Sequence, residues 1–250
     1  MGICESKIEQ PNSYKPTKVK EGIDNQITLP IYLINKAMKS VCKIIIKDKP
    51  KNILGTGFFI KISDSKKYLI TNYHTISEDM INKDIEIELY NQEKMKLNFN
   101  NRDIKHFPKP KDITMIEIKN DDSIFNKIKF LDYDLNYKKG YMRYENANVF
   151  SIQYPNGGNA EYAIGKIINI NGFEFTHLIP TNEGSSGSPI ILFNKDNNSI
   201  QVIGINKETK NTNIGTFIGE IFNNENSNIN NNMNTISNNN YILAEIKIKD

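Results

Sequence analysis

The chain of 250 residues has no tryptophan and only two cysteines, Cys4 and Cys42. A disulfide-dense scaffold is therefore excluded, and the thiol usage points to a reducing compartment or to a fold that needs no bridges. Long apolar runs are missing as well. Nothing approaches the roughly 18 consecutive apolar residues of a spanning helix, and no apolar core of a signal peptide stands near the start. The longest early run is Leu29 to Ile34. Charge of one sign is also scarce: 32 Lys and Arg stand against 29 Asp and Glu, a net charge of +3. That balance, with no basic cluster interleaved with aromatics, argues against a nucleic-acid partner. Besides His74, the only histidines are His106 and His177. Neither has cysteines or carboxylates at metal-ligand spacing, so surface or strand-packing roles are expected, with no metal and no cofactor. Gly55-x-Gly57 lacks the third glycine and the following helix of a dinucleotide fingerprint.

What remains is a chain with 38% apolar residues, large enough to bury one sizeable core or two small fused barrels. Residues 1–40 read as a polar tether ending in a short helix, with Ile31, Ile34 and Met38 at helical spacing. From Val41 the pattern changes to short β runs: Val41–Ile46, Gly57–Ile62, Tyr68–Thr71, Asp84–Tyr90, Lys94–Phe99 and Ile113–Lys119. A polar connection covers residues 120–140. Six more runs follow: Ala147–Tyr154, Ala163–Ile170, Glu174–Ile179, Pro189–Phe193, Gln201–Asn206 and Thr216–Ile221, separated by turn signals such as Asn156-Gly157-Gly158. Two series of six short strands predict an all-β fold of two packed six-stranded antiparallel barrels, about 41–120 and 140–222. Residues 223–240 hold 11 asparagines in 18 positions; such a tract is expected to stay disordered. Residues 241–250 are left unplaced.

The chemistry concentrates in Gly184-Ser185-Ser186-Gly187-Ser188-Pro189, a serine flanked by glycines and followed at once by the apolar Ile190 to Phe193. Serine is a poor nucleophile until a base lies within hydrogen-bond reach and a third group orients that base. Two upstream segments supply both. His74 stands just past the apolar run Leu69-Ile70-Thr71, and Asp112 stands at the mouth of Ile113-Thr114-Met115-Ile116. The order His, Asp, Ser is one of the known orders of the serine-protease triad. Asp103, Asp121 and Asp122 are alternatives to Asp112. The backbone N–H groups of Gly184 and Ser186 are the candidates for an oxyanion hole. With His74 and Asp112 in the first half and Ser186 in the second, the site is expected in the cleft between barrels.

These segments, with Gly55-Thr56-Gly57-Phe58-Phe59-Ile60, resemble the trypsin-like (chymotrypsin-fold) serine proteases over roughly residues 40–222. The pattern is most similar to the disulfide-free branch of glutamyl endopeptidases and HtrA proteases. The resemblance implies a serine endopeptidase acting on protein or peptide substrates through an acyl-enzyme. It also implies that Thr181, Asn206, Gly215 and Thr216 line the primary substrate pocket. Where glutamyl endopeptidases carry a pocket histidine this chain has Asn206, and Glu183 stands at the expected rim, so a small or medium uncharged side chain is expected there instead. Ser185 replaces the aspartate that pancreatic-type relatives pair with a newly released amino terminus, so no such activation cleavage is expected. The alternative is a binding or scaffold module on the same fold with little or no turnover.

At the amino terminus, Met1-Gly2-Ile3-Cys4-Glu5-Ser6 fits an N-myristoylation signal at Gly2, with Cys4 placed as a second acylation site. Two chains anchor where one binds only reversibly. The expectation is a lipid-anchored protein at a cytoplasmic membrane face.

Overall fold

The computed structural model describes residues 28–97, 99–209 and 212–222. The lipidation signal and the asparagine tract lie outside the described residues. After a short helix α1 (Ile31–Met38) the first half is a seven-stranded sheet. It comprises β1 (Val41–Ile46), β2 (Ile53–Lys61), β3 (Lys67–Thr71), β4 (Ile85–Leu89), β5 (Lys94–Lys96), β6 (Ile104–Phe107) and β7 (Ile113–Glu117). Their order across the sheet is β5-β4-β1-β2-β3-β7-β6, with every neighbouring pair antiparallel.

The second half begins with a short β8 (Asp132–Tyr133) and continues with β9 (Asn148–Gln153), β10 (Glu161–Asn171), β11 (Glu174–His177), β12 (Pro189–Asn194), β13 (Ser199–Thr209) and β14 (Asn213–Phe217). Strands β9 to β14 close into a six-stranded antiparallel barrel in the order β12-β9-β10-β11-β14-β13, because β13 returns to pair with β12. β8 adds to β13 in parallel. Among the described residues no helix is long and apolar enough to cross a membrane.

The central strands of the first sheet are apolar on both faces, and the burial explains why. On β2 and β3, Phe59 and Leu69 enter the core inside the first half, together with Ile44, Ile87 and Ile116. Their neighbours Phe58, Ile60, Tyr68 and Ile70 turn to the opposite face and meet Phe150, Ile152, Ile191 and Val202 of the barrel. Period-two alternation therefore sends side chains into two different cores, and a strand buried on both sides reads as a continuous apolar run. The barrel has its own interior around Phe175, Ile167, Ile190 and Phe217. Cys42 is a free, fully buried thiol. Burial pushes it far above its ordinary pKa and leaves it unreactive.

Three details depart from the strand pattern expected of the sequence. β6 was not expected; Ile104-Lys105-His106-Phe107 is a half-buried edge strand, too short and mixed to give a clear alternation. β8 lies inside the segment expected to be only a connection. The last run ends as a strand at Phe217, and residues 219–222 make a helical turn. Ile218, Ile221 and Phe222, spaced for one helical face, pack into the core between the halves.

Candidate active site

β3 ends at Thr71, and the turn after it carries His74. Asn72 ties this turn to the neighbouring strand by donating from Nδ2 to the Asp112 carbonyl at 2.9 Å. Asp112 itself precedes β7 with φ at +59°, a left-handed conformation that aspartate tolerates better than most side chains. The result is a two-point contact. The His74 backbone N–H donates to Asp112 Oδ1 at 2.9 Å, and His74 Nδ1 lies 2.7 Å from Oδ2. A carboxylate only accepts, so Nδ1 carries the proton and Nε2 is left as the acceptor. The Asp112 side chain is 2% exposed and the His74 side chain 43%. The orienting carboxylate is thus shielded from water while the imidazole opens to the cleft. Two of the alternative aspartates are engaged elsewhere: Asp103 accepts from the Tyr68 hydroxyl at 2.9 Å, and Asp122 takes a bidentate pair from Arg102 at 2.9 and 2.7 Å.

Ser186 lies across the cleft, in the turn leading into β12. His74, Asp112 and Ser186 line one cavity of about 430 Å³, with Asn182, Glu183, Lys109 and Lys207 around it. Glu183 pairs with Lys51 at 2.9 Å. Lys207 donates to the Pro110 carbonyl at 2.6 Å and pairs with Glu174.

The turn is made possible by Gly184 and Gly187, both at φ +87°. A Cβ on Gly187 would fall 2.1 Å from the Thr56 carbonyl oxygen, so no side chain fits. The turn also rests on β2 through Thr56, which is fully buried. Thr56 N–H donates to the Ser186 carbonyl at 2.8 Å, and Thr56 Oγ1 donates to the Gly184 carbonyl at 2.8 Å while accepting from Tyr154 N–H at 3.1 Å. Within the turn, the N–H groups of Ser185, Gly187 and Ser188 donate to the carbonyls of Asn182, Asn206 and Ser185. Among the described residues, those of Gly184 and Ser186 have no protein acceptor. Two uncommitted donors beside the half-buried Ser186 are what an oxyanion site requires.

A second loop braces the first. Asn156 N–H donates to the Glu183 carbonyl at 2.5 Å. Lys43 holds that loop from below, donating to the Gly157 and Gly158 carbonyls at 3.0 and 3.1 Å while paired with Glu88 at 2.7 Å. Thr56, Asn156 and Lys43 were not singled out in the sequence, because their contribution is a backbone position or a long-range bond.

The residues expected to line the substrate pocket divide. Thr181 donates to Asn213 Oδ1 at 2.9 Å and lines an adjoining cavity of about 680 Å³, which shares Asn182 with the first. Asn206, Gly215 and Thr216 line neither cavity. Asn206 is wholly buried, Gly215 packs on the Phe175 ring, and Thr216 donates to the Lys111 carbonyl at 3.0 Å. His177 is buried too. It receives the Ile179 N–H at Nδ1 (3.3 Å) and lies 3.2 Å from Asn206 Oδ1 at Nε2. Burial lowers its pKa to about 4, offset in part by the Asn206 bond.

No family model and no curated protein matches the sequence. Solved structures do match. The Rv3671c protease from M. tuberculosis, in its active form, has a TM-score of 0.54 at 18% identity, over 82% of this chain and 92% of that one. Deg5 gives 0.55 at 18% identity over 77% and 90%. The serine endoprotease from Yersinia pestis gives 0.57 at 14% identity over 79% of this chain and 66% of its own. This is the trypsin-like serine protease fold. In this trypsin-like fold the cleft between the two halves holds the His74–Asp112 pair on one wall and the Ser186 turn on the other.

Proposed function

We propose that the chain is a serine endopeptidase. The observation that carries the reading is the two-point His74–Asp112 contact facing the cavity that Ser186 also lines. In this reading Ser186 Oγ attacks the scissile carbonyl and its proton passes to His74 Nε2. Asp112 fixes the tautomer and stabilises the imidazolium. The proton then goes to the leaving amine, and water resolves the acyl-enzyme by the same route in reverse. The N–H groups of Gly184 and Ser186 receive the developing oxyanion. The test is labelling by diisopropyl fluorophosphate with peptide hydrolysis measured in parallel. The wild-type chain should label and cleave, and Ser186→Ala should do neither. A wild-type chain that binds peptides but neither labels nor cleaves would favour the binding-module alternative.

We propose further that the enzyme works while tethered to a membrane by acyl groups on Gly2 and Cys4, a reading supported by the Met1 to Ser6 motif alone. Gly2→Ala should move the protein from the membrane to the soluble fraction on cell fractionation, and Cys4→Ser should give an intermediate distribution. A wild-type protein found wholly in the soluble fraction would sink the tether and leave the endopeptidase untouched.

A further inference from the structure

We propose that Asn206, oriented by His177, is a positioning residue of the oxyanion site: it holds the Ser185–Ser186 peptide so that the Ser186 N–H points into the cleft. The proposal rests on the endopeptidase reading above.

Asn206 is wholly buried, so its side chain meets no substrate. A buried amide must find partners or incur a desolvation cost. Its Nδ2 donates to the Ser185 carbonyl at 3.0 Å. In a trans peptide the C=O and N–H point in opposite directions. Fixing the Ser185 oxygen toward the interior therefore aims the Ser186 N–H the other way, toward the cavity that Ser186 lines.

The amide has two possible orientations, and His177 selects one. Its Nδ1 accepts the Ile179 N–H at 3.3 Å, so the ring proton sits on Nε2 and donates to Asn206 Oδ1 at 3.2 Å. With Oδ1 committed there, Nδ2 faces Ser185. Turning the amide over would set oxygen against oxygen on one side and donor against donor on the other. Burial keeps the imidazole neutral near pH 7, so Nδ1 stays an acceptor.

The Ser188 N–H also donates to the Ser185 carbonyl, at 3.1 Å. That bond lies within the turn and moves with it. Asn206 is anchored in β13, where its N–H donates to the Ser188 carbonyl and its own carbonyl accepts from Gly187 N–H, both at 2.9 Å. Asn206 thus ties the nucleophile turn to the barrel wall. The other oxyanion donor, Gly184 N–H, is set by the Asn156 N–H bond to the Glu183 carbonyl, a backbone contact. The Ser186 donor is the one that a buried side chain controls.

The experiment measures the second-order rate of diisopropyl fluorophosphate reaction across pH with the full chain, together with the labelled fraction and the melting temperature. In that reaction the Ser186 Oγ–P bond forms, the P–F bond breaks, fluoride leaves and the hydroxyl proton passes to His74. Asn206→Asp places an acceptor against the Ser185 carbonyl and should slow the reaction per reactive site about 100-fold, with the pH midpoint unchanged. His177→Leu should slow it about tenfold, and His177→Gln, which keeps a donor toward Asn206, should recover most of that loss. A merely structural role would lower the labelled fraction and the melting temperature while leaving the rate per reactive site at the wild-type value; that result overturns the proposal. Should Asn206→Asp not fold, equal rates for His177→Leu and His177→Gln overturn it. A wild-type chain that does not react overturns the endopeptidase reading instead.

Discussion

His74 and Asp112, on the first sheet, meet through two direct bonds of 2.9 and 2.7 Å. Ser186, on the barrel side, is held through its backbone. Thr56 N–H takes its carbonyl, Asn206 and Ser188 take the carbonyl before it, and glycines at φ +87° stand two residues before and one after. One wall of the cleft is thus fixed by side chains that name themselves, and the other by the path of the main chain. The difference teaches where each wall is fragile. In the proposed mechanism the acid–base wall fails when a functional group changes. The nucleophile wall fails when the shape of the turn changes, even if every reacting group is kept.

The largest effects belong to the first wall. Asp112→Asn keeps the shape but favours the wrong imidazole tautomer, and kcat for a peptide substrate should fall about 10⁴-fold. Ser186→Ala and His74→Ala should each cost about 10⁶-fold. Asp103→Asn should leave kcat near the wild-type value, because Asp103 bonds Tyr68 and not His74. Loss of activity in Asp103→Asn with retention in Asp112→Asn would reverse the assignment of this wall.

Intermediate effects test the second wall. Thr56→Val is nearly isosteric but removes the hydroxyl that joins Gly184 C=O to Tyr154 N–H. Both backbone groups would then be buried without that partner, at a cost of about 1–3 kcal/mol in stability. Because the Gly184 carbonyl helps set the turn, kcat should fall roughly 10–100-fold with KM little changed, as for a loss felt in the transition state. Gly187→Ala should be worse, since the Thr56 carbonyl occupies the space its Cβ needs. Urea unfolding and steady-state kinetics on both variants measure this. Full activity in Thr56→Val would show that the turn holds itself and that the two walls do not differ in the way described.

The same contrast explains what could be read from the sequence. The runs of apolar residues located most strands, because alternation and β-branched composition are local signals. Ser186 was conspicuous between its glycines, and His74 and Asp112 stood at the ends of apolar runs. The burial of His177 was not legible. An isolated histidine on a strand looks the same whether it faces solvent or a buried amide, and its partner Asn206 is 29 positions away. The directions of the expected pocket side chains were hidden for a related reason. In the trypsin-like pattern Asn206, Gly215 and Thr216 stand near Ser186; here the Asn206 side chain is wholly buried, a Cβ on Gly215 would meet the Phe175 ring, and Thr216 Oγ1 reaches the Lys111 carbonyl of the first half, and one residue of register decides which way a strand side chain points. The helical turn at 219–222 was masked because its apolar residues also continue the β14 run.

The last expected effect concerns acid, and it reads stability instead of turnover. Burial lowers the His177 pKa to about 4 in the folded chain, against an ordinary value of 6.5. As pH falls through 6.5 the unfolded chain takes up this proton and the folded chain does not, so stability decreases from there down to about 4. The contribution is fully present above the unfolded pKa, and the whole loss is on the order of 3 kcal/mol. His177→Gln removes this proton uptake while keeping a donor toward Asn206. Between pH 7 and 4.5, wild type should therefore lose more stability than His177→Gln, by roughly 2–3 kcal/mol in urea unfolding. Carboxylates that titrate in the same range are common to both proteins and cancel in the difference. Equal losses would mean that the imidazole accepts its proton in the folded state near pH 6.5. It would then be charged and doubly donating in mild acid, Ile179 N–H would lose its acceptor, and a closed, dry support behind the Ser186 turn would be wrong.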